Sequence, residues 1–116
     1  MRMQKFFVRL ILAALALALC GAAFADTQRV LAEAKARNVK LITRDQAVAI
    51  ADKELAAKNV KAVLRDADLD NEAFKYHNGS DFRPVYELEY KAPNGFEYDI
   101  DVDAVTGEVL KFRADD

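Results

Sequence analysis

The run FRPVYELEYKAPNGFEYDIDVDAVTGEVLKF, Phe82 to Phe112, decides the fold. Three stretches of alternating polar and apolar residues are separated by two turns that close on Gly95 and Gly107. A period of two sends successive side chains to opposite faces, so each stretch reads as a half-buried antiparallel strand. Inward candidates are Tyr86, Leu88 and Tyr90 on one strand and Phe96, Tyr98, Ile100 and Val102 on the next. Both sets must meet the same core, because a one-residue slip exposes an entire apolar row. A two-residue loop at Pro93-Asn94 or Asn94-Gly95 sets Tyr90 against an acidic residue of the wrong face. The three-residue loop Pro93-Asn94-Gly95 instead pairs Tyr90 with Tyr98, Leu88 with Ile100 and Tyr86 with Val102. It is a type I turn with proline first and glycine in the left-handed position. The same logic at Val105-Thr106-Gly107 pairs Val102 with Leu110 and Ile100 with Phe112.

This register fixes the outer face. Glu87 lies opposite Asp101 and Glu89 opposite Asp99, and like charges directly opposed across strands are unfavourable by roughly 0.2–1 kcal/mol. The last strand answers them by setting Lys111 beside Asp101 and Arg113 beside Asp99, so each row reads acid, acid, base. Internal compensation makes this chiefly a solvated face. Asp66 and Asp68 extend the negative field on the far side, and Glu87, Glu89, Asp99 and Asp101 are the candidate contacts for a basic protein surface.

Upstream, Thr43 followed by Gln46 forms a capping box that starts a helix at Arg44. Ala47, Val48, Ile50, Ala51, Leu55 and Ala56 trace its apolar stripe, and Asn59 stops it. Val60 to Asp70 reads as the first strand, with Val63, Ala67 and Leu69 inward, Asp66 and Asp68 outward, and Arg65 misplaced on the inner face. A polar connection from Asn71 to Asp81 turns at Asn78-Gly79. Before all this, Asp26 to Asn38 reads as a short helix with Val30, Leu31 and Ala34 at helical spacing and little to bury. The expected class is therefore α+β: one main helix, with a shorter one before it, packed on a four-stranded antiparallel meander.

Residues 1–25 read as a signal peptide. Arg2, Lys5 and Arg9 form a basic start, Leu10 to Leu19 an apolar run, and Ala23-Phe24-Ala25 a small-x-small cleavage site before Asp26. The apolar run falls short of the roughly 20 residues a spanning helix needs, so cleavage leaves no membrane span. A lipid-bearing Cys20 is the alternative, although Leu19 occupies the place where such signals carry a small residue. The segment holds three of the 17 basic residues and none of the 19 acidic ones, so residues 26–116 carry 14 against 19, a net charge of −5, and no cysteine. That excludes disulfide staples and a thiol nucleophile, and it gives no support for nucleic-acid binding. The expected location is the periplasm or the exterior.

Little in the chain suggests catalysis. Asp66-x-Asp68-x-Asp70 and Asp99-x-Asp101-x-Asp103 resemble openings of a calcium loop, but the sixth and twelfth positions hold Asn71 and His77 in one, Ala104 and Leu110 in the other. That loop needs glycine and glutamate there. The single histidine, His77, has no cysteine beside it for zinc and cannot build a serine triad. Paired carboxylates abound, but no apolar pocket is visible that would raise one to the pKa an acid catalyst requires. No enzyme activity, metal or cofactor is expected.

The runs ITRDQAVAIADKEL, LRDADLDNE, PVYELEY and FEYDIDVDAVTGEVLKF together resemble the PepSY domain family, most recognisably at Tyr86-Glu87-Leu88 and Asp103-Ala104-x-Thr106-Gly107-Glu108. The likeness covers about Leu41 to Arg113. With the readings above, the chain divides into a signal peptide (1–25), a short helix or linker (26–40) and a PepSY-like domain (41–116). It implies a non-enzymatic binding module, since such domains occur in propeptides of thermolysin-type peptidases and are proposed to restrain peptidases. The implied partner is a peptidase or another envelope protein. A structural or accessory envelope protein and a calcium-responsive sensor are the alternative readings.

Overall fold

Helix α1 covers Gly21–Ala36 and helix α2 Arg44–Ala57; strands β1 to β4 cover Val63–Asn71, Pro84–Lys91, Glu97–Asp103 and Val109–Asp115. The computed structural model describes residues 21–116, so most of the signal segment lies outside the described residues. Among those described, no helix is long and apolar enough to cross a membrane.

The capping box forms as expected: Thr43 Oγ1 accepts from Gln46 N at 3.1 Å, and Gln46 Oε1 accepts from Thr43 N at 2.8 Å. From there Ala47, Ala51 and Leu55 form the buried stripe of α2, spaced four apart along one face. Asn59 ends the helix with φ 56°, while Val60 N donates to Leu55 O and Asn59 N to Ala56 O. This is the bond pair of a Schellman motif with asparagine in the left-handed position. Helix α1 ends in the same way at Asn38, φ 60°, with Val39 N donating to Ala34 O.

Helix α1 departs from expectation. It is not the shorter helix: it has 16 residues against 14 in α2 and begins upstream of the Ala25–Asp26 junction. Val30 and Ala34 are buried, and Leu31 stays 40% exposed. Two side chains fasten this part of the chain, Thr27 to strand β1 and Arg37, just past the helix end, to the β1–β2 connection. Thr27 Oγ1 accepts from Leu69 N at 3.4 Å, and the Arg37 guanidinium takes both oxygens of Asp81 at 2.8 and 3.0 Å. Paired with Asp81 and Glu33, Arg37 has its pKa raised and keeps its charge.

The four strands form one antiparallel sheet in chain order. Between β2 and β3 the predicted register holds: Tyr86 faces Val102, Leu88 faces Ile100 and Tyr90 faces Tyr98. Gly95 takes φ 91° in the loop. Phe96 is a correction, because at 37% exposure it lies at the loop mouth and not in the core.

The next hairpin differs. Ile100 faces Phe112 and Asp101 faces Lys111 as expected, but Val102 faces Val109, with a register shift between Asp101 and Val102. Asp103 causes this. Its Oδ1 accepts from Val105 N at 2.8 Å and Thr106 N at 2.9 Å, and its carbonyl accepts from Gly107 N at 2.9 Å. The loop is thereby one residue longer than expected, and a bulge at Leu110 restores the register.

A second bulge corrects β1, which starts at Val63 and not at Val60. The pairing shifts between Leu64 and Asp66, so Leu64 faces Tyr90 and Val63 faces Lys91. Arg65 is the extra residue. Leu64 therefore joins the core and Val63 turns outward, 71% exposed.

The core lies between this sheet and the two helices, around Leu69, Tyr86, Leu88, Tyr90, Ile100 and Val102. Both buried tyrosine hydroxyls are satisfied: Tyr86 donates to Ile42 O at 2.8 Å and Tyr90 to Asp52 Oδ1 at 2.9 Å. Gly107, at φ 78°, joins the last turn to α2, because a Cβ there would stand 3.1 Å from Ile50 Cδ1. Gly107→Ala combines left-handed strain with that crowding and is expected to cost about 1 kcal/mol, read as a lower urea midpoint.

Candidate functional site: the outer sheet face

The strands align their outward carboxylates in two rows, Asp68–Glu87–Asp101–Lys111 and Asp66–Glu89–Asp99–Arg113. All four candidate contact residues thus share one face, and Asp66 and Asp68 widen it as expected. Between the rows runs an open groove of about 200 Å³, lined by those six carboxylates, Leu88 and Lys111.

The face is only partly the solvated surface the sequence suggests. The connection between β1 and β2, residues 72–83, folds back as a strap across one end of it. Lys75 Nζ reaches Asp101 Oδ2 at 3.1 Å and the Tyr76 hydroxyl donates to the same oxygen at 2.6 Å. Lys111 approaches it at 3.9 Å. Asp101 is consequently 2% exposed. Arg83 closes the strap by donating from Nε to Asp103 Oδ2 at 3.1 Å and from Nη1 to the Tyr76 carbonyl at 3.3 Å. Val85, which alternation also points outward, is fully buried beneath this end. At the tip of the strap Phe74 stands 93% exposed, its ring 6.4 Å from that of His77.

Ionisation is set by the packing. Burial pushes the Tyr76 hydroxyl up to about 12, reinforced by its bond to Asp101. For Lys75, burial works against the charge, but the bond to Asp101 outweighs it and the pKa rises. Burial likewise favours a proton on Asp103, yet the N–H groups of Thr106 and Val105 and the Arg83 guanidinium prevail and lower its pKa. Glu87 moves furthest among the carboxyls. Burial comes first, then hydrogen bonding to Glu72 and the charges of Glu72 and Asp101, and together they carry it up to about 8 against the pull of Lys75. Asp68 is raised too, by burial and then by Asp66.

The raised carboxyl corrects the expectation that none exists, since it arises from crowding on the outer face and not from an apolar pocket. The groove lining contains carboxylates, one leucine and one lysine, and no hydroxyl, thiol or imidazole. A serine-, cysteine- or histidine-dependent mechanism would draw on such groups. One oxygen each of Asp70, Glu72 and Glu87 lie within 4.8 Å of one another, the spacing of a partial cation site among the described residues. Calcium takes 6–8 oxygens, and with one oxygen each these half-buried three supply at most half of that. The two Asp-x-Asp-x-Asp runs lie largely on strands β1 and β3 and do not wrap around a point.

Two further features behave differently from the register alone. Arg113 lies opposite Asp99 but sends its guanidinium to Asp115 at 3.2 Å. The row it was expected to neutralise keeps Asp66, Glu89 and Asp99 with no strap over them. Sequence reasoning missed the strap altogether. Its one signal was a lysine between two aromatics, Phe74-Lys75-Tyr76, in a mostly polar connection.

The site is thus a carboxylate groove on the outer face of an antiparallel meander whose other face carries a two-helix layer. Residues 41–113 match the family model PepSY, described as peptidase propeptide and YPEB domain, and the chain belongs to that family. Neither the curated proteins nor the solved structures give a match.

Proposed function

We propose that this protein is a non-catalytic envelope module that holds a peptidase or another envelope protein against its acidic outer sheet face. It reaches the envelope through a signal peptide cleaved after Ala25. The observation that carries the reading is the row Asp66–Glu89–Asp99, a run of carboxylates that neither Arg113 nor the strap neutralises. Uncompensated charge of one sign steers and holds a partner of the other, so a basic segment fits the groove. The family description, which ties these domains to peptidase propeptides, supports a peptidase as that partner.

The test uses Glu89 and Asp99, because Glu87 and Asp101 are bound up with the strap and reversing them would disturb the fold. Native protein and the Glu89→Lys/Asp99→Lys variant are used as bait in an envelope extract. A peptidase or other envelope protein retained by the native bait should be held at least tenfold less by the variant. Equal retention would remove the acidic face from the interaction.

A further inference from the structure

The two edges of the sheet are not alike. On β1, the outer edge is sealed. Ala67 N donates to Asp66 Oδ1 at 3.0 Å, Leu69 N to Thr27 Oγ1 at 3.4 Å and Asn71 N to Asp70 Oδ1 at 2.8 Å. With the bulge at Arg65, three successive outward N–H groups are withdrawn from pairing with another strand.

On β4 none of those devices is present at its C-terminal half. The bond from Asp103 N to Glu108 O fixes the phase of the β3–β4 ladder. Lys111, Arg113 and Asp115, opposite Asp101, Asp99 and Glu97, therefore turn their backbones inward, and Phe112 and Ala114 turn theirs to the open side. Among the described residues no side chain accepts from either N–H. The strand contains neither proline nor glycine.

What guards this edge is charge. Pairing β4 with a second copy about a two-fold axis sets Lys111 opposite Arg113 if Phe112 faces itself. One step either way sets Lys111 or Arg113 opposite its own copy. Each well-overlapped register thus opposes like charges at its centre, and only the one that sets Arg113 on its own copy offsets this, by bringing Lys111 opposite Asp115 on both sides. A different strand that offers carboxylates to both cations is the better match. The same two cations favour a strand that brings carboxylates. They also stand between an incoming strand and Asp99 and Asp101, so the acidic face lies one column further away.

The geometry points to β4 as the docking edge for an extended segment of another protein that carries carboxylates two residues apart, opposite Lys111 and Arg113, with an apolar side chain between them beside Phe112. Main-chain bonds to Phe112 and Ala114 supply the affinity and the alternate side chains the selectivity, as in β-strand addition generally. This edge adjoins the acidic face, since Lys111 also lines the groove, but docking here uses the outward backbone of β4 and does not depend on a partner on that face.

Amide exchange by NMR on the purified protein tests the assignment, with the capped hexapeptide Thr-Glu-Val-Glu-Val-Thr and its counterpart with lysine for glutamate as probes. The glutamate peptide at millimolar concentration should slow exchange of the Phe112 and Ala114 amides at least tenfold and leave Ala67 and Leu69 unchanged. The lysine peptide should give no protection. Ala114→Pro removes only an outward N–H, which an edge strand tolerates, so its spectrum should stay native elsewhere while protection is lost. Lys111→Glu/Arg113→Glu should reverse the preference between the peptides. No protection by the glutamate peptide, an equal response to both peptides, or protection present without peptide and lost on dilution would each overturn the proposal.

Discussion

Asp101→Ala is expected to destabilise the protein by about 3 kcal/mol, the largest effect of any single polar substitution in the sheet. The carboxylate is 2% exposed and holds the Tyr76 hydroxyl, Lys75 and, more distantly, Lys111. Removing one member of such a cluster strands the others, at about 3–5 kcal/mol when they are fully buried. Lys75 retains 41% side-chain exposure and can rehydrate, which places the value at the low end. Losing Asp101 also withdraws a negative charge from Glu87, a small gain that offsets part of the loss. For a domain of this size, 3 kcal/mol lowers the melting temperature by more than about 10 °C. Asp101→Asn, which keeps an acceptor for Tyr76, should cost less than half as much. Tyr76→Phe should cost about 1 kcal/mol, and its effect should largely vanish in the Asp101→Ala background, because the hydroxyl has already lost its acceptor. If urea denaturation gave additive effects, the strap would not be anchored where the structure places it.

That anchoring explains what the sequence could and could not reveal. The β2–β3 register was legible because two independent constraints, the chemistry of Pro93-Asn94-Gly95 and the shared core of Tyr86, Leu88 and Tyr90, admit one solution. The β3–β4 turn looked equivalent, but Asp103 adds a third influence by capping the N–H groups of Val105 and Thr106. Side-chain capping of this kind competes with the ladder, and a bulge absorbs the difference. Arg65 was the visible sign of the other bulge: a charge on an apolar row signals that the row has slipped, and Leu64 is the residue that slips in. The length of α1 was hidden by its alanine-rich composition, although both helices announce their ends with the same Asn-Val-Lys, at Asn38 and Asn59. The acidic rows came directly from register. Their burial did not, because it depends on a loop that crosses the sheet, and no local pattern in Asn71 to Asp81 specifies where such a loop lands. Arg113 shows the same limit on a smaller scale, since register places its backbone while a flexible side chain selects Asp115.

The second large effect is a pH dependence that resides in Glu87. Its carboxyl sits at about 8 in the folded protein against 4.5 ordinarily, through burial first and then Glu72 and Asp101. A raised folded pKa means that the folded state binds the proton more tightly than the unfolded chain does. The stabilisation is complete below about pH 4.5 and disappears as pH rises through about 8. Lys75 opposes the shift, and the half-exposed position screens the interaction, so roughly 1–2 kcal/mol is expected over that window. Glu87→Gln supplies a permanent donor toward Glu72 and removes the titration. The two proteins should be of similar stability at pH 5, and the variant should be the more stable by about 1–2 kcal/mol at pH 9. Asp68 and Asp70 also have raised pKa values, but both proteins share them, and the difference between the two stability curves isolates Glu87. The low-pH contribution of Asp103 has the opposite sign: its depressed pKa supplies stability that is lost only as pH falls below the ordinary carboxylate range. Chemical denaturation from pH 5 to 9 measures the effect, and parallel curves for the two proteins would show that Glu87 is ionised throughout. Charge at this position also feeds back on the strap, because an ionised Glu87 beside Glu72 repels the segment that carries Lys75 and Tyr76. Exchange of the Lys75 and Tyr76 amides should therefore quicken above pH 8 in the native protein and stay unchanged in Glu87→Gln, relative to amides of the β2–β3 pair.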